Sequence, residues 1–195
     1  MRLCCFCLLF TIIISVSSKD VPGVNDLIRR IRDDNWSREE TSCLEGTLSY
    51  LNNVKNQTLW ATWVWESNQS PIGHLYGSFY HMGNYDQCMN PPWLTTHPQL
   101  RTQYCTAEVK MISDVPQKRK HVWDPYDSTE EYITKTTILG LPLNTLYWGV
   151  CVPASCRPRS VSKLLKHMYL GSQYAPVSTE PNITVDYCQV AGEGY

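Results

Sequence analysis

The chain has 195 residues, of which 43% are hydrophobic, 11% aromatic and 18% charged, and its formal net charge is −1. This balance excludes a nucleic-acid binder, which needs a basic surface, and a disordered chain, which lacks the apolar residues for a core. The length is sufficient for one domain with one hydrophobic core.

The N-terminal residues predict a cleaved secretory signal peptide. Arg2 supplies a positive charge, residues 3–16 form an apolar run, and the small residues Ser17 and Ser18 suit signal peptidase. The apolar run is shorter than the ~20 residues of a spanning helix, which favours removal of residues 1–18 over an uncleaved membrane anchor. We therefore expect a secreted or otherwise extracellular or lumenal protein.

The cysteines of the mature chain predict a disulfide framework. Removal of the signal peptide removes Cys4, Cys5 and Cys7 and leaves an even number for an oxidising compartment. The cysteines expected to be paired are Cys43, Cys88, Cys105, Cys151, Cys156 and Cys188. Sequence alone leaves their connectivity open; the short intervening loop favours Cys88 with Cys105. Zinc is the alternative for Cys151 and Cys156, but no second close Cys or His pair completes a tetrahedral set, so we expect no metal and no cofactor.

Four Asn-x-Ser/Thr sequons agree with secretion, because N-glycans are added in the same compartment in which disulfides form. The acceptor residues are Asn35, Asn56, Asn68 and Asn182. Pro71 follows the third sequon and makes it the poorest acceptor of the four.

The first half of the mature chain predicts helices. Residues 19–41 are a polar leader or a short amphipathic helix. The capping pattern of Ser42 and Glu45, followed by leucines at helical spacing, predicts a helix over about residues 42–66 that is either broken near Asn56 or buried on all sides near its end.

The second half predicts strands and one more helix. Residues 102–112 and 143–152 have the partial alternation of strands, with a loop over 113–131 between them. A helix over about 160–170 follows, capped by Ser160 and stopped by Gly171. We therefore expect a small α+β domain over residues 42–190, disulfide-stapled, with helices packed on a short antiparallel sheet, and a disordered tail over 191–195.

No catalytic motif is present: the sequence contains no nucleophile elbow, phosphate-binding loop or zinc-protease helix. His74 or His81 could act as a general base only beside a serine or carboxylate, so we expect no catalytic residue. A glycine-rich segment near several aromatic residues is the candidate site for an apolar ligand, although core packing explains the same residues equally well. The candidate ligand-binding residues are Trp60, Trp63, Tyr76, Tyr80 and Tyr85.

Three sequence elements carry a resemblance to a known family. They are Gly-Asn-Tyr-Asp-Gln-Cys at residues 83–88, Gln-Tyr-Cys at 103–105 and Cys-Val-Pro-Ala-Ser-Cys at 151–156, with Trp60-Ala61 before them. In this order the chain resembles, over about residues 40–190, the N-terminal extracellular domain of the nose resistant to fluoxetine (NRF) proteins. The sequence departs from the family pattern at residues 65–67, where an aspartate followed by a small residue is usual, and at Ser78, where an asparagine is common.

The resemblance implies a non-catalytic extracellular module, because in that family the domain usually precedes a multi-pass membrane acyltransferase-3 region. Members of the family are implicated in moving lipids or drugs across epithelia. The resemblance implies that the partner is an apolar small molecule or lipid, or a membrane or secreted protein, and not a nucleic acid.

Three hypotheses follow. The first is a stand-alone secreted NRF-type domain that binds such a partner, in lipid or xenobiotic transport. The second is the truncated ectodomain of a multi-pass membrane acyltransferase. The third is a secreted hydrolase of unrecognised type, which requires a cleft that places a serine or carboxylate beside His74 or His81.

Overall fold

A computed structural model describes residues 23–68, 70, 73, 75, 79–115, 124–172 and 180–193. The predicted signal peptide, His74 and Tyr76 lie outside these residues. Within them, helices pack on a mixed four-stranded sheet, which confirms the predicted α+β class. None of the helices in the described part is both long enough and apolar enough to cross a bilayer.

In the described chain, three helices come first, and strands and helices then alternate. The helices are α1 (Val24–Asp33), α2 (Thr41–Lys55), α3 (Leu59–Ser67), α4 (Tyr85–Met89), α5 (Thr129–Ile133) and α6 (Pro158–Leu170). The strands are β1 (Tyr80–His81), β2 (Thr102–Lys110), β3 (Thr145–Pro153) and β4 (Asn182–Val190). The strand order is β1-β3-β2-β4; β2 pairs antiparallel with β3 and β4, and β1 pairs parallel with β3. The two predicted strands are confirmed, whereas the parallel β1 departs from the expected purely antiparallel sheet.

Helix α1 is the amphipathic helix that the sequence left open as one of two possibilities. Val24, Leu27, Ile28 and Ile31 recur at the helical spacing i, i+3, i+4 and i+7 and are all buried. They belong to the same hydrophobic core as α2 and α6. The residues before the predicted boundary at 42 therefore contribute to the core of the domain.

The capping box of this region lies one turn earlier than the sequence indicated. Ser37 and Glu40 form it, not Ser42 and Glu45: the Ser37 N–H donates to the Glu40 carboxylate at 2.9 Å. This hydrogen bond is the main reason that the pKa of Glu40 is lowered to about 2, with Lys163 of α6 contributing from 3.2 Å. The ionised carboxylate thus ties the beginning of α2 to α6.

Helix α6 begins at Pro158, and the predicted cap Ser160 instead lies inside the helix. Its side chain is buried and its hydroxyl lies 3.5 Å from the Glu40 carboxylate. Proline suits the first helical turn, where its missing N–H leaves no hydrogen bond unmade. The predicted stop at Gly171 is confirmed.

The long predicted helix is broken at residues 56–58, which selects the first of the two alternatives. Asn56 ends α2, and Gln57 has a φ of 54°, a left-handed conformation that terminates helical geometry. The break turns α3 back so that the rings of Tyr50 and Trp60 face each other, with 6.2 Å between their centroids.

All six predicted cysteines form disulfides, but the suggested pair Cys88–Cys105 is wrong. The bridges are Cys43–Cys156, Cys88–Cys151 and Cys105–Cys188. Cys105 lies directly opposite Cys188 in the β2–β4 register, and α4 places Cys88 against β3. Strand register and helix packing, not loop length, therefore determine the connectivity.

The C-terminal part is more ordered than predicted. Strand β4 was not recognised in the sequence, and Ala191 after it is buried and donates its N–H to the Thr102 carbonyl at 2.9 Å. The expectation of a disordered tail is wrong at this residue, and residues 194–195 lie outside the described part. The predicted loop over 113–131 contains the beginning of α5.

Candidate functional site

A cleft of about 490 Å³ opens between the α2–α3 pair and the entrance of β2. Its volume lies within the range of small-molecule sites, about 300–1,000 Å³. Two further cavities in the described part have about 110 and 30 Å³. Of these three, the cleft is the one whose volume suits an organic ligand.

Apolar side chains form somewhat more than half of the walls of the cleft. The α2–α3 break brings Tyr50 and Trp60 together on one side, and the end of β3 closes another. Burial raises the pKa of Tyr50 above its usual range. The apolar lining residues are Tyr50, Trp60, Val64, Pro98, Leu100, Pro153 and Ala154.

A few polar groups interrupt these walls. The lining also includes Ser49, Gln99, Arg101, Thr102 and Ser155, and none of the described lining residues is acidic. The Thr102 hydroxyl donates to the Cys88 carbonyl at 2.7 Å, and the Ser155 hydroxyl donates to the Ser42 carbonyl at 3.2 Å. Arg101 is the one charged residue among the described lining residues.

Gly46 allows α2 to approach the floor of the cleft closely. A Cβ atom at this position would lie 3.2 Å from the Ser155 hydroxyl and 3.5 Å from the Pro153 side chain. The absence of a side chain at Gly46 thus sets the distance between α2 and the turn after β3.

The structure brings one of the aromatic residues predicted to bind a ligand into this cleft and places Trp63, Tyr80 and Tyr85 outside it. Trp60 lines the cleft. Trp63 instead joins α3 to α4: its indole N–H donates to the Gln87 carbonyl at 2.7 Å, and the Gln87 side chain donates back to the Trp63 carbonyl at 2.7 Å. Trp63 also packs edge-on against Trp93, with 5.6 Å between ring centroids. Trp63 therefore has a structural role.

Tyr85 begins α4 and Tyr80 begins β1, and neither residue lines the cleft. The Tyr85 hydroxyl donates to the Gln189 side chain at 2.7 Å, and its ring packs edge-on against Tyr104. Tyr80 stacks on Tyr147 at 5.3 Å and is 68% exposed, beside the cavity of about 110 Å³. Tyr76 lies outside the described residues, so the predicted set does not form a single site in the described part of the chain.

His81 does not line the cleft. It lies on β1 opposite Trp148 of β3 and is 4% exposed. The described residues also contain no group of three or more His, Cys, Asp or Glu side chains arranged to hold a metal ion. The hydrolase hypothesis thus gains no support from His81, and His74 lies outside the described part.

Asn68, one of the four predicted glycan acceptors, has both ends of its side-chain amide bound to the protein backbone. Its Oδ1 accepts the Cys151 N–H at 2.7 Å, and its Nδ2 donates to the Cys151 carbonyl at 3.0 Å and to the Val64 carbonyl at 2.9 Å. Both hydrogens of the amide nitrogen are therefore in use. The other acceptors, Asn35, Asn56 and Asn182, are exposed.

We expect the secreted protein to carry N-glycans at the three exposed acceptors and none at Asn68, because a sugar on Nδ2 would replace a hydrogen bond to β3. Intact-mass measurement before and after enzymatic deglycosylation checks this. Ser70→Ala, which removes that sequon and keeps Asn68, should leave the mass of glycan unchanged, whereas Thr58→Ala and Thr184→Ala should each remove one glycan. A glycan lost in the Ser70→Ala variant would contradict the expectation.

The family model described as nose resistant-to-fluoxetine protein, N-terminal domain, matches residues 43–165, which is more than half of the chain. The chain belongs to the NRF N-terminal domain family. No curated protein and no solved structure matches it.

The match to the NRF family extends from the first disulfide cysteine, Cys43, into α6. It thus includes α2, α3, the entrance of β2 and the end of β3, which are the elements that form the cleft. Of the lining residues, sequence reasoning identified Trp60 and missed Tyr50 and Arg101. Neither stands out in the sequence, because they meet only after α2, α3 and β2 are packed together.

Proposed function

We propose that this NRF domain is a non-catalytic binding module of an extracellular or lumenal compartment, and that it binds an apolar small molecule or lipid in the cleft beside Trp60. Three disulfides are typical of proteins from an oxidising compartment. The observation that carries the proposal is the cleft itself, which combines aromatic walls with a few polar groups and has the volume of a ligand site.

The proposal agrees with what the resemblance to the NRF proteins implies, namely a role in moving lipids or drugs. A domain of this kind would hold its ligand for transfer to another component, such as a membrane protein. The chain would act in that transport either as a secreted protein or as the ectodomain of a longer membrane acyltransferase; the cleft supports binding in both cases.

A fluorescent fatty acid provides the test of this function. We expect saturable binding to the purified secreted protein and a loss of affinity of about tenfold or more in Trp60→Ala, because the apolar tail loses its largest contact surface. Ser49→Trp, which fills the cleft from α2 without removing a packed side chain, should have the same effect.

Tyr80→Ala is the matched control, since it removes an exposed aromatic side chain outside the cleft. Circular dichroism and the absence of free thiols establish that each variant is folded. Equal affinity in the wild-type, Trp60→Ala and Ser49→Trp proteins would reject the cleft as the site. Failure of several lipid classes to bind would reject an apolar ligand and favour a protein partner.

A further inference from the structure

We infer that the ligand of this cleft is an anionic amphiphile whose carboxylate is bound by Arg101; this inference rests on the proposed function. Arg101 carries the one positive charge among the described lining residues, and none of those residues is acidic. The cleft therefore combines apolar walls with a single cation, which suits a molecule with an apolar tail and one negative head.

The guanidinium of Arg101 has hydrogen-bonding capacity that the described residues do not use. Its Nε is buried and has no hydrogen-bond partner among them. Its Nη1 lies 3.7 Å from a carboxylate oxygen of Glu193, which is longer than a hydrogen bond. The Arg101 side chain is 40% exposed, and because Nε is buried, a ligand carboxylate would accept hydrogen bonds from the Nη atoms.

The backbone around Arg101 is held in place before any ligand arrives. The Arg101 N–H donates to the Pro98 carbonyl at 3.2 Å, and the Arg101 carbonyl accepts the Ala154 N–H at 3.0 Å. These bonds fix the residue between the short 3₁₀ helix at Pro98–Leu100 and the turn after β3. A fixed backbone reduces the ordering that binding requires.

The negative charge of Glu193 distinguishes a site for an anion from a general hydrophobic site. Its side chain is 65% exposed and lies beyond β4, close to Arg101 but outside hydrogen-bond distance. It partly neutralises the guanidinium in the empty cleft and repels an incoming anion. Removing the charge of Glu193 should therefore strengthen the binding of an anion and leave the binding of a neutral amphiphile unchanged.

The experiment compares dodecanoate with dodecanol, which share the apolar tail and differ in the head group. Both compete with a fluorescent probe for the purified secreted protein at neutral pH and low salt. We expect Arg101→Gln to weaken dodecanoate binding about tenfold or more, the effect of losing charge-assisted hydrogen bonds, and to change dodecanol binding less than twofold. Glu193→Gln should strengthen dodecanoate binding only.

Arg157→Gln is the matched control, because Arg157 is an exposed arginine that pairs with Glu39 away from the cleft. Equal effects of Arg101→Gln on the acid and the alcohol would overturn the inference and leave the proposed function intact. If neither compound binds to the wild-type protein, that result would instead overturn the proposed function itself.

Discussion

Replacing Cys43 and Cys156 together by alanine should lower the free energy of unfolding by about 5 kcal/mol, the value expected when a bridge across a loop of ~100 residues is removed. These two cysteines are 113 residues apart, the largest separation of the three disulfides. Since a small domain has only about 5–15 kcal/mol of stability, the variant should be close to unfolding. Denaturant titration followed by tryptophan fluorescence measures the change.

The paired alanine variant of Cys105 and Cys188 is the comparison for this measurement. Its bridge joins residues that already face each other across β2 and β4, with a separation of 83 residues. The chain-entropy model predicts nearly equal losses for the two bridges, because the dependence on loop length is logarithmic. A loss below about 1 kcal/mol for the Cys43 and Cys156 pair would contradict the expectation.

Gly149→Ala should destabilise the domain by about 3 kcal/mol, because β3 has no room for a side chain at this position. The ring of Tyr104 lies across Gly149, and its hydroxyl donates to the Met82 carbonyl at 2.5 Å. A Cβ atom on residue 149 would lie 2.6 Å from Tyr104 Cζ and 2.7 Å from the Met82 carbonyl oxygen. Tyr104 must move, which breaks its hydrogen bond and its edge contact with Tyr85.

Gly46→Ala is the control, because it changes the conformational entropy of the unfolded chain in the same way as Gly149→Ala does. Its Cβ would meet nothing closer than 3.2 Å, and α2 gains helix propensity from alanine. The Ser155 hydroxyl must shift by a few tenths of an ångström, so Gly46→Ala should change the free energy of unfolding by less than about 1 kcal/mol in either direction. If Gly149→Ala is as stable as the wild type, the close approach of Tyr104 is wrong. If the clash between the new Cβ atom and Tyr104 causes the destabilisation, the loss of unfolding free energy should be smaller in a Tyr104→Ala background.

Local patterns in the sequence predicted the elements whose apolar residues have the spacing of a strand or a helix. The partial alternation of β2 and β3 and the apolar spacing of α6 are properties of neighbouring residues, so they could be recognised without the fold. Strand β4 was missed although Ile183 and Val185 alternate with polar residues, because this alternating run is short. The register shifts opposite Thr106 and Ala107 and puts Cys188 out of phase with the run.

The candidate site was predicted only in part, since a cleft depends on which distant segments meet. Trp60 was identified through its neighbours in the sequence, whereas Tyr50 and Arg101 join it only through the helix break at Gln57 and the packing of β2. Disulfide connectivity has the same origin: the partner of Cys105 follows from strand register, which cysteine spacing does not encode.

The side chain of Asn68 also bears on how the protein avoids aggregation. The outer edge of β3 pairs with the two-residue β1. Farther along this edge, the Asn68 side chain forms hydrogen bonds with the N–H and the carbonyl of Cys151. No long run of free backbone N–H and carbonyl groups therefore remains there for a strand of another molecule. On the opposite side of the described sheet, β4 is an edge of nine residues. There a bulge twists the strand, the exposed charge of Asp186 discourages pairing, and a glycan on Asn182 would cover the end. The two edges are thus shielded by different means, one by an internal amide and the other by charge and twist.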